Sequence, residues 1–304
     1  MAPSLFAGCA IGNLLGRGGM AEVWQGVVVD GPAAGREVAV KRLLPELARD
    51  PEYVVMLEQE ALVTRRLAHA AIVEVLDAGV EDGTPFIVME FVDGRNLREV
   101  LARCAERQIL LPVDFALYVA HVVADALGHA HAGRDREGHP LGVVHCDVSP
   151  SNVFISRLGE VKLGDFGVAV TATTRARTGG GAYGKVRYLS PELLRGERPT
   201  PQSDLFALGC VLFECLTNEP AFPGEDVNTI GQRILKGVLR APSEVRPELS
   251  FDVDAIVLRC LAPAPADRWP SALELAGAIA SQYDPSIGTP LAIASVVRGL
   301  FGVR

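Results

Sequence analysis

The spacing of hydrophobic and polar positions divides the chain into a β-patterned first third and a helix-patterned remainder. Between residues 10 and 45, the valine-rich stretches "EVWQGVVVD" and "REVAVKRLL" flank the turn "GPAAG", which predicts short strands broken by glycine. "PELARDPEYVVMLEQEALVTRRLA" then reads as helix, with Pro51 in a first turn and glutamates ahead of arginines. "AIVEVLDAGVEDGTPFIVMEFV" returns to strands, with a hairpin at Asp82-Gly83. From "DGRNLREVLARCAERQ" onward helix dominates, and "VDFALYVAHVVADALGHAHA" carries its apolar residues at helical spacing. A β-rich part followed by a helical part predicts two lobes with a crevice between them and a hinge near Val92–Gly94. One segment of the helical part breaks the pattern. In "GVVHCDVSPSNVFIS" the flanks Val143-Val144 and Val153-Phe154-Ile155 predict buried strand, yet His145, Asp147 and Asn152 lie between them, with Cys146 and Ser149.

Composition narrows the setting. The 304 residues are 49% hydrophobic and 22% charged, enough apolar material for one large domain or for two lobes with cores of their own. A net charge of -8 argues against nucleic acid or an anionic membrane as the main partner. Cys9, Cys104, Cys146, Cys210, Cys215 and Cys260 form no C-x-x-C pair and sit mostly among apolar neighbours, as expected of reduced, buried thiols. "MAPSLFAGCAIG" lacks a basic start, and no stretch reaches the ~18 uncharged apolar residues of a membrane helix. The expectation is a soluble cytoplasmic protein with no membrane partner.

Several residue groups then point to phosphate chemistry. In "LGRGGMAEV", residues 15–23, glycines without a Cβ let backbone N–H groups close on phosphate oxygens. "VAVK" ends an apolar strand on Lys41, an odd place for a merely solubilising charge and a suitable one for a point charge aimed at phosphate. Glu60, or its competitor Glu58, could reach Lys41 from the following helix. Asp147, Asn152 and, in "KLGDFGVAV", Asp165 supply oxygen ligands of the kind magnesium takes.

In order and spacing, "GRGGMAEV", "VAVK", the helix glutamate, "HCDVSPSN", "DFG", "SPE", "SDLFALG" and "DRW" resemble the eukaryotic-type protein kinase family, in its bacterial serine/threonine branch. "GHPLGVVHCDVSPSNVFIS" also resembles kinases of myxobacterial type. The resemblance covers roughly residues 10 to 283. It implies an α+β, two-lobed fold: a β-rich N-lobe over 10–92 with one regulatory helix, and a mostly helical C-lobe over 93–283. It implies ATP with magnesium, or manganese in its place, and a protein substrate bearing Ser or Thr hydroxyls. By the same resemblance, Leu15, Gly16, Gly18 and Gly19 cover the phosphates, with Ala21 where a third glycine is usual. Lys41 contacts phosphates and pairs with Glu60, Asp147 takes the substrate hydroxyl proton, and Asn152 and Asp165 hold the metal. Val23, Ala39 and Phe154 sandwich the adenine, and Met89 stands before the hinge residues Glu90–Val92. Asp204 anchors the catalytic-loop backbone, Glu192 pairs with Arg268, and His145 packs beneath Phe166.

Two departures from the family pattern stand out. Cys146 replaces the arginine that binds a phosphorylated activation loop, so control through such a contact is not expected, although Thr171, Thr173, Thr174 and Thr178 lie near Arg175 and Arg177. Ser149 replaces a lysine that neutralises the transferring phosphate, while Lys185 in "GKVRYLSPE" stands where threonine is usual. The exchange makes Lys185 a candidate substitute for the missing ammonium. A pseudokinase scaffold that binds nucleotide and partners without turnover is the alternative reading, and a small-molecule kinase a third. The tail over 284–304 is apolar at several helical positions after Pro290, which predicts a helix docked on the C-lobe. A homodimer or regulatory-partner contact is its alternative.

Overall fold

A computed structural model describes residues 4–134, 137–166, 185–286 and 288–302. Thr171, Thr173, Thr174 and Thr178 lie outside the described residues, as do Arg175 and Arg177. The first part is a six-stranded antiparallel sheet in the order β1-β2-β3-β4-β6-β5. Its strands are β1 (Ser4–Phe6), β2 (Cys9–Arg17), β3 (Ala21–Val28), β4 (Glu37–Leu43), β5 (Val75–Glu81) and β6 (Thr84–Glu90). The helix α1 (Pro51–Thr64) connects β4 to β5. Asp50 caps α1 by accepting from the N–H of Glu52 at 3.0 Å, and Pro51 takes the first position, where its missing N–H costs nothing. Asp82 and Gly83 both have positive φ, 49° and 74°, which suits the two-residue hairpin between β5 and β6.

Strand alternation decides what faces what. On β4, Val38 and Val40 join one apolar cluster with Cys9, Ile11, Phe86 and Val88. Ala39 and Leu43 join a second cluster with Leu57, Ala61, Ile87 and Met89. Lys41 has the parity of Ala39 and Leu43, so a period of two sends its side chain to the α1 side. On α1 the buried residues are Tyr53, Leu57, Glu60, Ala61 and Thr64, at helical spacing. That period turns Glu60 inward and leaves Glu58 exposed.

The second part begins with a small sheet of β7 (Gly94–Asn96), β8 (Val153–Ser156) and β9 (Val161–Leu163). Its helices are α2 (Leu97–Arg107), α3 (Val113–His131), α4 (Pro191–Leu194), α5 (Pro201–Thr217), α6 (Val227–Lys236), α7 (Pro242–Val245), α8 (Phe251–Cys260), α9 (Ala272–Ala280) and α10 (Pro290–Phe301). Helix α5 is buried along most of its length and packs on α3 and α8, forming the centre of the larger core. All six cysteines are buried and unbridged. The fold is therefore α+β with a sheet-rich lobe and a helical lobe.

Helix α10 lies on α2 and buries Ile293, Ala294, Val297 and Leu300. Its last carbonyls accept from arginines of α2: Arg107 bonds the Gly299 oxygen at 2.9 Å and Arg103 the Leu300 oxygen at 3.2 Å. Pro290 presses on the β8–β9 turn at Gly159, where a Cβ would stand 1.7 Å from the Pro290 oxygen.

One local expectation is corrected. Val143 and Val144 form no strand. The backbone N–H groups of His145 and Cys146 do not enter a ladder; each donates at 2.8 Å to the carboxylate of Asp204. Apolar character there reflects burial without a strand partner.

Candidate active site

The residues singled out in the sequence meet at the junction of the two lobes. Lys41 Nζ lies 2.6 Å from Glu60 Oε1 and 2.8 Å from Asp165 Oδ1. All three come from different elements, and the contact joins β4, α1 and the segment after β9. Burial opposes the charge on Lys41, but Asp165 and Glu60 outweigh it and hold the ammonium well above its ordinary range. Burial also works against ionised Asp165, and Lys41, then Lys185 and His145, reverse it and hold the carboxyl below its usual range. Glu60 is pushed up, first by burial and then by Asp165 against the pull of Lys41.

The catalytic-loop candidate is held from beneath. Asp204 accepts from two backbone N–H groups and sits 2.8 Å from His131 Nε2. Cys146 adopts φ 61° and Asp165 φ 55°, left-handed conformations uncommon outside glycine and concentrated where geometry is imposed by function. His145 Nε2 bonds the Gly164 oxygen at 3.1 Å, while Nδ1 accepts from the Asp147 N–H at 3.2 Å. That pairing specifies the neutral ring with its proton on Nε2, and burial lowers the His145 pKa accordingly. The ring packs on Phe166 with centroids 4.5 Å apart.

The Asn152 amide donates to the Asp147 backbone oxygen at 2.8 Å and to Asp147 Oδ2 at 3.0 Å. Those two bonds fix which way the carboxamide points and leave its oxygen as the remaining ligand atom. Lys185 Nζ approaches the same Asp147 Oδ2 at 2.5 Å. Asp147 and Lys185 are thus in contact, and Ser149 is buried nearby with a hydroxyl that has no hydrogen-bond partner among the described residues.

Above this polar group lies an apolar shelf. Ala39 and Met89 are in one cluster with the partly buried Val23, Val92 and Phe154. Glu90 turns its side chain away into bonds with Lys162 Nζ and the Glu74 N–H, both 2.8 Å. Leu15 and Gly16 at the end of β2, and Gly18 and Gly19 in the β2–β3 connection, are exposed, and the turn is closed by the Gly18 N–H on the Ala21 oxygen at 2.8 Å.

The model of the protein kinase domain matches residues 9–278. The chain belongs to the protein kinase domain family. Members of that family use ATP and a divalent cation and act on protein substrates. This kinase domain is 35% identical over 266 residues to "Tyrosine-protein kinase MasK" of Myxococcus xanthus, covering 87% of this chain and 41% of that protein. It is 39% identical over 274 residues to "Probable serine/threonine-protein kinase PknB" of Corynebacterium glutamicum, covering 86% of this chain and 40% of that protein. The chain therefore spans about two fifths of the length of the curated relatives it matches. The solved kinase domain of Mycobacterium tuberculosis PknI superimposes with a TM-score of 0.70 at 29% identity, covering 93% of this chain and 99% of that one. No helix among the described residues of the kinase domain is long and apolar enough to cross a membrane.

Two clusters were not anticipated. Arg98 donates to the Tyr188 hydroxyl, which donates to Glu214 Oε2, both at 2.5 Å, and Arg98 also pairs with Glu214 at 3.2 Å. Glu214 was detectable as the one acid in the apolar run "LFALGCVLFECLT". Arg246, nearly buried, ties the Leu111 and Leu216 oxygens at 2.8 and 3.0 Å; nothing in local spacing announces so distant a bridge.

Proposed function

We propose that this chain is an ATP-dependent protein kinase that transfers the γ-phosphoryl group to Ser or Thr hydroxyls of proteins. The observation that carries the reading is the convergence of Lys41, Glu60, Asp165, Asn152 and Asp147. Asp147 takes the hydroxyl proton as the hydroxyl oxygen bonds the γ-phosphorus and the bond from that phosphorus to the ADP oxygen breaks. Lys41 places a charge on the α/β-phosphates, and Glu60 holds that ammonium in register. Leu15, Gly16, Gly18 and Gly19 cover the phosphates, while Val23, Ala39, Met89 and Phe154 receive the adenine between Glu90–Val92 and the sheet.

The donor set fits a divalent cation. Lys41 and Lys185 face Glu60, Asp165 and Asp147, so two positive groups meet three negative ones. Among the described residues no three His, Cys, Asp or Glu side chains form a metal cage. Asp165 and the Asn152 oxygen would hold magnesium, which keeps few protein ligands, and manganese could take the same hard donors. When bound, the cation neutralises phosphate charge.

A pseudokinase lacks support from this site, because Lys41, Glu60, Asp147, Asn152 and Asp165 are all present and hydrogen-bonded. A second reading, transfer to tyrosine, is favoured by the printed name of the Myxococcus relative and by Ser149 in place of lysine. We place the protein in the cytoplasm, with a regulatory partner or second copy meeting it outside the nucleotide site. The test is incubation with γ-labelled ATP, magnesium and a generic protein acceptor, then mass spectrometry of the phosphosites. Label on Ser or Thr supports the proposal, label on Tyr alone selects the second reading, and no label contradicts both.

A further inference from the structure

The exchange of Ser149 for Lys185 acquires a structural context in the turn that carries Lys185. Tyr188 N–H bonds the Lys185 oxygen at 3.1 Å and Leu189 N–H the Val186 oxygen at 3.1 Å, which closes the turn on itself. Val186 and Tyr188 are buried beneath it. The Tyr188 hydroxyl is fixed between Arg98 of α2 and Glu214 of α5. Lys185 therefore leaves a turn anchored at its far end by a three-residue clamp, and its ammonium reaches Asp147 Oδ2. The Lys185 side chain remains about half exposed, 47%, so its ammonium stands open to solvent beside Asp147. Ser149, by contrast, is 2% exposed and its hydroxyl bonds nothing among the described residues. A short side chain there cannot place a charge beside Asp147.

We propose that Lys185 supplies the transfer site with the ammonium that the catalytic loop lacks at Ser149, and that Tyr188, Glu214 and Arg98 are the positioning residues that hold it there. The inference rests on the phosphotransferase reading above. Lys185 orients the Asp147 carboxylate together with Asn152, and it offers charge to the terminal phosphoryl group as that group moves to the acceptor hydroxyl. Because the charge comes from the substrate-binding side, the turn over 185–189 becomes part of the transfer machinery as well as the platform for the acceptor.

The test combines nucleotide binding with turnover in the full chain. With magnesium present, Lys185→Ala should bind ADP within about twofold of the parent and lose about fivefold or more in affinity for a non-hydrolysable ATP analogue relative to ADP. Its kcat should fall on the order of 10²-fold, as for loss of one preorganised donor, and its KM for ATP should rise in step with the lost analogue affinity. Lys185→Arg should recover part of the loss, and Ser149→Lys should recover tenfold or more in a Lys185→Thr background. Tyr188→Phe should lower kcat in the parent and add little in the Lys185→Ala background. A Lys185→Ala protein that keeps both its kcat and its analogue-to-ADP ratio within twofold overturns the proposal. Fully additive losses for Tyr188→Phe and Lys185→Ala overturn the clamp. If Ser149→Lys prevents folding, seen as a collapsed melting transition, the Lys185→Ala and Lys185→Arg pair still decides. A parent protein without any transfer contradicts the phosphotransferase reading instead, and the nucleotide-affinity ratio then judges Lys185 on its own.

Discussion

Asp204 holds Cys146 in a left-handed conformation: the carboxylate accepts the Cys146 N–H at 2.8 Å while the residue sits at φ 61°. The same carboxylate accepts from His145, so one buried acid of α5 sets the backbone that delivers Asp147. Asp204→Ala leaves two buried N–H groups without a partner, at about 1–3 kcal/mol each. The expected outcome is a loss of about 2–6 kcal/mol in denaturant unfolding and a fall in kcat larger than any change in KM for ATP. Asp204→Asn, with one acceptor oxygen left, should fall between.

Arg268 and Glu192 form a bidentate pair at 2.8 Å with both side chains buried, and Ser203 adds a third bond to Glu192 at 2.7 Å. Burial would raise the Glu192 carboxyl, but the bonds from Arg268 and Ser203 hold it down, from 4.5 to about 2. At about 1.4 kcal/mol per pKa unit, that drop contributes roughly 3 kcal/mol. A depressed folded pKa stabilises above the unfolded value, so the contribution is complete above pH 4.5 and drains as pH falls toward 2. Unfolding free energies of the parent and Glu192→Gln, measured from pH 6 downward, should differ most at the top of the range and converge at the acid end. A gap independent of pH would contradict the assignment.

Lys41 and Glu60 separate stability from function. Lys41→Met leaves Glu60 buried without its cation, a loss of about 3–5 kcal/mol, and removes the charge meant for phosphate. Replacing both by Met should restore part of the melting temperature, because the Lys41–Glu60 pair can be exchanged for apolar volume at little cost while Asp165 stays without its cation. Transfer should stay lost in both variants. Recovery of activity along with stability in the double variant would show that the pair serves packing alone.

The residues legible in the sequence were those whose chemistry demands a fixed type at a fixed spacing. Lys41 was legible at the end of an apolar strand, whereas the residues alone left Glu60 and Glu58 open and the family resemblance pointed to Glu60, which the structure pairs with Lys41. Asp147, Asn152 and Asp165 were legible from the order of the motifs that carry them. What remained hidden depends on partners distant in the chain. Val143 and Val144 have strand composition but no strand to join, because Asp204 takes the neighbouring N–H groups. The Tyr188 clamp draws on α2 and α5, and the seat of α10 on α2 depends on arginines whose targets are carbonyls of the tail. No local pattern encodes such pairings.

Cys146 stands where a guanidinium could bind a phosphorylated loop, and its thiol is directed at the Val144 oxygen at 3.5 Å. A thiol offers no fork of charged donors to a phosphate. Replacing Thr171, Thr173, Thr174 and Thr178 together by Ala should leave the rate on an external protein acceptor within a few-fold of the parent. Loss of that rate in a variant with an unchanged melting temperature would contradict phosphate-independent control.

The most direct measurement is single-turnover transfer from γ-labelled ATP in magnesium by the parent and by Asp147→Asn, with nucleotide affinity determined for both. The expected result is equal affinity within about twofold, with transfer by Asp147→Asn slower by about 10³-fold or more, since the substitution removes the proton acceptor and leaves Lys41, Glu60 and Asp165 in place. No transfer by the parent, or equal transfer by both proteins, would contradict the assignment of this site as a protein kinase centre built on Asp147.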